Sequence, residues 1–136
     1  MRKILGILIG IAIGFLITIL LESIAHLLFP LAPGTDPGSP DLFDHVPVPA
    51  KIMVLLAWFF GAAAGCYMGQ RIGGWLWSGW ITVAILLIAG LSATFMIPHP
   101  LWMQICAVAV PILGGLIADR LPGGRVRRSA QTLRSR

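Results

Sequence analysis

Four long apolar runs, separated by short polar or proline-rich breaks, constrain this chain more than any other feature. They cover about residues 4–29, 52–69, 74–97 and 101–118. At about 1.5 Å of rise per helical residue, each is long enough, or nearly so, to cross a hydrocarbon layer about 30 Å thick. A backbone in that layer finds no water, so it must satisfy its own N–H and C=O groups, and a helix does this within one segment. The composition agrees: 57% of residues are hydrophobic and 11% charged, against about a quarter charged in soluble domains. The mean hydropathy is +0.90. The sequence predicts an all-α bundle of four transmembrane helices over residues 1–119 and a basic tail over 120–136.

The connections differ in kind. Residues 30–50 hold six of the ten prolines (Pro30, Pro33, Pro37, Pro40, Pro47 and Pro49), so an extended or turn-rich loop is expected there. Runs two and three are joined by little more than residues 70–73, and runs three and four by "IPHP". Such short links favour antiparallel neighbours and hence an up-down-up-down order. Pro111, inside the fourth run, predicts a kink.

Lys and Arg give the expected orientation. With the N-terminus inside, nine of them (Arg2, Lys3, Arg71, Arg120, Arg125, Arg127, Arg128, Arg134 and Arg136) fall on the inner side, and Lys51 alone on the outer. This positive-inside bias places both termini in the cytoplasm and the proline-rich loop outside, in a multi-pass protein of a bacterial inner membrane. Arg2 and Lys3 before an apolar run also suit a signal peptide, but an h-region spans only about 7–15 residues, so the first run is expected to be retained. Trp75, Trp77, Trp80 and Trp102 fall where interfacial belts are expected. Cys66 and Cys106 fall near opposite faces, too far apart for a disulfide. The arginines of the tail suit anionic lipid headgroups, and because topology already explains them no nucleic-acid partner is expected.

Two of the runs carry small-residue stripes: Gly6, Gly10 and Gly14 in the first, Gly61, Gly65 and Gly69 in the second. Glycines four apart let helix backbones approach closely in lipid, where packing replaces the hydrophobic effect. Under the expected orientation both stripes lie in the cytoplasmic half, so helices one and two are expected to pack there. Self-association with another copy is the competing use of the same faces.

The spacing of four continues past the glycines as Thr18, Glu22 and His26. Each step drifts about 40° around an ideal helix, so these three share a face that the lower glycines do not. Ser92, Thr94, His99 and Gln104 fall at the same outer level, and with Thr18, Glu22 and His26 they form a candidate polar pocket. A carboxylate inside a span costs about 2.5–3.5 kcal/mol on insertion scales, so Glu22 is expected to face the bundle interior. Three readings are open. Glu22 and His26 pair one turn apart and fix packing; Glu22 is a proton- or cation-binding carboxylate; or Glu22, His26 and His99 are weak candidates for a metal site. No metal or other cofactor is expected. G-x-S-x-G, H-E-x-x-H, Walker A and paired-thiol motifs are all absent from the sequence, so no catalytic residue is assigned.

Four short spans with a glutamate in the first look like small multidrug resistance exporters. The 21-residue proline-rich loop, the nine-to-one charge bias and the lack of the motif around the glutamate depart from that family. The chain more closely resembles small four-helix bacterial inner-membrane proteins, through E-x3-H in the first span, the proline-rich outer loop and "IPHPLW" before the last span. That resemblance implies the fold and the location and no activity. The first expectation is therefore a non-enzymatic structural, accessory or interaction subunit, as a homo-oligomer or within a larger membrane complex. The alternative is a proton- or cation-coupled transporter or binder of small molecules, using the pocket around Glu22 and His26.

Overall fold

The computed structural model of the chain describes residues 1–34, 39, 42–96 and 99–121. Those residues form α1 (Arg2–Leu28), α2 (Leu42–His45), α3 (Val48–Gly73), α4 (Leu76–Met96) and α5 (Leu101–Arg120), with no strand among them. Helices α1, α3, α4 and α5 are each long and apolar enough to cross a membrane. The described residues are thus all-helical, with four helices that suggest a multi-pass membrane protein. The tail beyond Leu121, including its arginines, lies outside the described residues.

Proline and glycine set the ends. Helix α1 stops at Leu28, just before Phe29 and Pro30, where the proline ring disfavours a helical preceding residue. Helix α3 begins with Pro47 as N-cap and holds Pro49 in its first turn, where a missing N–H costs nothing. It therefore starts four residues before the apolar run. It also continues through residues 70–73, which the sequence suggested were a connection. In an apolar setting each backbone bond is worth keeping, and the helix ends only where Gly74 turns left-handed (φ 68°), its N–H returning to the Gln70 carbonyl at 2.9 Å. Gly74 and Trp75 alone join α3 to α4. The proline-rich segment is not wholly irregular, since the proline-free stretch Leu-Phe-Asp-His makes the single turn α2. Helix α5 runs through Pro111, which is buried.

Helix α3 is the centre, packed against α1, α4 and α5. Its buried residues are Ala50, Ala57, Gly61, Ala62, Gly65, Cys66, Gly69, Gln70 and Gly73, nearly all of them small. Large apolar side chains lie outside instead: Ile4, Leu8, Leu16, Leu20 and Leu27 on α1 are all exposed. Small residues inside and large ones outside is the distribution expected where the solvent is hydrocarbon, because close backbone approach supplies the packing energy.

The two glycine stripes face each other. A Cβ built on Gly6 would lie 2.5 Å from both the N and Cα of Gly73, one on Gly10 2.7 Å from the Gly65 carbonyl oxygen, and one on Gly65 2.8 Å from the Gly10 carbonyl oxygen. A Cβ on Gly14 would lie 3.1 Å from the Gly61 carbonyl oxygen, and one on Gly61 2.8 Å from that of Gly14. Gly69 faces Gly6 and Gly10 on one side and Ser78 and Gly79 of α4 on the other. The stripe of α3 thus serves two helices, a second role that four-residue spacing alone does not reveal.

Candidate functional site

The tight glycine contact ends at Thr18, whose Oγ1 donates to the Ala57 carbonyl at 3.4 Å. Beyond it α1 and α3 are separated by side chains, and two cavities lie between the helices. The mid-bundle cavity, about 300 Å³, is walled by Phe15, Thr18, Ile19 and Glu22 of α1, the small residues Ala89, Gly90 and Ala93 of α4, and Pro111 of α5. The loop-side cavity, about 240 Å³, is walled by Ala25, His26 and Phe29, by Leu42 and Phe43 of α2, and by Lys51 and Val54 of α3. His99 completes it. Glu22, Trp58 and Ala93 belong to both linings.

Glu22 and Trp58 therefore form the wall between the cavities. The Trp58 indole N–H donates to Glu22 Oε1 at 2.9 Å. The expected Glu22–His26 pair is not made. One turn on, His26 is exposed at the edge of the loop-side cavity, and the carboxylate instead reaches across to α3. The other carboxylate oxygen, Oε2, has no hydrogen-bond partner among the described residues. A single indole donor leaves most of the acceptor capacity of a carboxylate open.

The candidate pocket is split by the structure. Thr18 and Glu22 line the mid-bundle cavity, and Glu22, His26 and His99 the loop-side one. Ser92, Thr94 and Gln104 line neither. Ser92 is exposed and donates to the Ile88 carbonyl at 2.8 Å, Thr94 donates to the Leu91 carbonyl at 2.7 Å, and the Gln104 amide donates to the His99 carbonyl at 2.9 Å. Helical Ser and Thr can satisfy their hydroxyls on a carbonyl three or four residues back, so their polarity at membrane depth does not by itself mark a cavity. His99 stacks on Phe43, ring centroids 4.1 Å apart, and lies 6.4 Å from Trp58, which ties α2 to the mouth of the loop-side cavity. Among the described residues, no three His, Cys, Asp or Glu side chains converge as a metal site requires.

A second polar cluster, at the opposite end, has no motif to announce it. Asp119 Oδ1 accepts from the Gln70 amide, and Oδ2 accepts from the Trp80 indole at 3.2 Å. Gln70 is buried and also contacts Cys66 Sγ at 3.4 Å. Trp80 thus turns inward instead of joining an interfacial belt, whereas Trp77 and Trp102 are exposed and Trp75 lies beneath Lys3, whose Nζ is 4.7 Å from the ring. The signal that could have found this cluster is Asp119 itself, an acidic residue one position before Arg120 at the end of an apolar run. Cys66 and Cys106 are free thiols. Compared with protein-family models, with curated proteins and with solved structures, the chain matches none.

Proposed function

We propose that the protein binds a small molecule between its helices, with Glu22 as the working carboxylate and proton exchange at Glu22 coupled to occupancy. The observation that carries this reading is the position of Glu22 in the shared wall of two cavities, with one oxygen held by Trp58 and the other without a partner among the described residues. A carboxylate needed only for packing has its acceptors filled, because an unfilled one is costly at membrane depth. The expected result for Glu22→Gln is unchanged assembly in mild detergent together with loss of a small-molecule adduct that native mass spectrometry detects on the wild-type protein. Loss of assembly in Glu22→Gln, with no adduct on either protein, would overturn it.

That second outcome defines the other reading, a structural or accessory subunit of a homo-oligomer or larger membrane complex. It is supported by the Glu22–Trp58 bond acting as a tie between α1 and α3 above their glycine contact.

The topology belongs to the same proposal. Facing glycines rise in number along α1 as they fall along α3, which makes that pair antiparallel, as an up-down-up-down order requires. Arg2, Lys3 and Arg71 gather where the glycine stripes begin, with Arg2 Nε donating to the Ile72 carbonyl at 2.9 Å, and Lys51 lies at the other end beside the loop. The positive-inside rule then gives cytoplasmic termini in a bacterial inner membrane, with anionic headgroups at the basic tail. In intact cells, a membrane-impermeant thiol reagent should label Ser39→Cys but not Ser129→Cys, with the unsubstituted protein as baseline. The reverse pattern would sink this orientation.

A further inference from the structure

The two cavities differ in charge. Among the described residues, Glu22 is the only ionisable one lining the mid-bundle cavity. The loop-side cavity adds three basic side chains, His26, Lys51 and His99, and no second acid among the described residues. Asp44, on α2 beside it, is exposed and outside the lining.

Two of the basic groups, Lys51 and His26, sit at one end, whereas the His99 ring lies 6.4 Å from that of Trp58. On α3, Lys51 precedes Trp58 by seven residues, about 10 Å along the helix axis, and on α1 His26 stands one turn, about 6 Å, beyond Glu22. Lys51 and His26 thus mark the mouth, and Glu22 with Trp58 marks the floor. Between them the walls are apolar: Phe29, Leu42, Phe43, Val46 and Val54. A volume of about 240 Å³ holds roughly eight groups the size of a water molecule.

Resting on the small-molecule reading above, we propose that the loop-side cavity takes a single-chain amphiphile with an anionic head, a carboxylate or a phosphate monoester, on an apolar chain of about eight carbons. The head lies at the mouth between Lys51 and His26, where charge-assisted hydrogen bonds to an anion are strong. The chain runs inward along Phe29 and Val54 and ends on the Trp58 ring, leaving Glu22 to the mid-bundle cavity that it also lines. The reverse orientation would set two negative groups side by side in an apolar pocket, and a cationic head at the mouth would meet Lys51. The polarity of the lining therefore selects both the class of head and its direction. A free fatty acid and a membrane lipid present the same chemistry.

Radiolabelled octanoate is the probe, with the full chain held in discs of zwitterionic lipid and empty discs subtracted. Octanoate should bind saturably at about one molecule per chain. Octylamine and octanol, of the same chain length, should not displace it. Lys51→Gln should weaken binding about tenfold, His26→Gln less, and Val54→Phe, which fills the cavity from its wall, should abolish it. Each variant is checked as monodisperse first. Displacement of octanoate by lysophosphatidic acid, a single-chain phosphate monoester, placed in the discs would support the class and identify a lipid as the source; no displacement would support it with a free amphiphile as the source. Equal displacement by octylamine or octanol, or unchanged affinity in Lys51→Gln, would overturn the anionic class. Saturable octylamine binding lost in Glu22→Gln would reject that class and leave the small-molecule reading standing, and no saturable binding of any of the three would reject both.

Discussion

Gly65→Leu is expected to separate α1 from α3 and to destabilise the folded protein by more than about 3 kcal/mol. A Cβ at Gly65 would lie 2.8 Å from the Gly10 carbonyl oxygen, 3.2 Å from Thr82 Cγ2 and 3.3 Å from Gly14 Cα. Two of those three neighbours are backbone atoms of α1, so no side chain can swing away to make room. Relief requires α1 to move as a body, and that motion also opens the Gly6–Gly73 and Gly14–Gly61 contacts. In hydrocarbon nothing replaces them, because helix association there rests on close contact and not on release of water. The check is a thermal or denaturant titration in mild detergent, followed by size-exclusion profile. Gly90→Ala is the matched control: a Cβ there meets nothing within 4 Å, so alanine should stabilise by up to about 1 kcal/mol. A Gly65→Leu protein as stable as the wild type would show that α1 and α3 do not meet backbone to backbone.

The second large effect is expected at Asp119, which no recognised motif contains. Asp119→Ala removes the acceptor for both the buried Gln70 amide and the Trp80 indole. Hydrogen bonds to a charged group contribute about 1.5–3 kcal/mol each. A loss of about 2–4 kcal/mol is expected, with α3, α4 and α5 loosened together at one end. Trp80→Phe should lose a smaller part. In a double-mutant cycle the two changes should be less than additive, because Asp119→Ala already removes the bond that Trp80→Phe deletes. Strict additivity would show that the indole and the carboxylate do not act as a pair. Small-molecule binding at the far cavities should survive in Trp80→Phe, which separates this structural cluster from the site at Glu22.

How much of this was legible in the sequence depends on how local each cause is. Four apolar runs imply four helices because a backbone in hydrocarbon has only itself to bond. Glycines spaced by four identify a small face because the helical repeat is a property of the chain alone. Helix ends were less legible. The apolar run of α3 stops at residue 69, but the helix continues to Gly73, and only Gly74, with its positive φ, ends it. Proline-rich composition hid the turn α2, whose four residues contain no proline.

The polar residues divide in the same way. An inward Glu22 follows from its solvation cost alone. Its partner does not: Trp58 lies 36 positions away, and His26, one turn along, made the nearer guess. Ser92 and Thr94 looked like pocket residues by depth, yet each is satisfied within its own helix. From the sequence Trp80 reads as a belt residue and Gln70 as part of a connection, because three separate helices contribute the cluster that Asp119 joins.

What the sequence by itself determined is the set of helices, the small faces they carry, and the positions where a charge is too costly to face lipid. What only the tertiary structure decided is which faces meet: that one glycine stripe serves both α1 and α4, that Glu22 and Trp58 divide two cavities, and that Asp119 pins the opposite end. Helix formation and solvation cost are short-range and can be read from neighbours along the chain. Pairing depends on side chains brought together from distant positions, and that information exists only once the helices have packed.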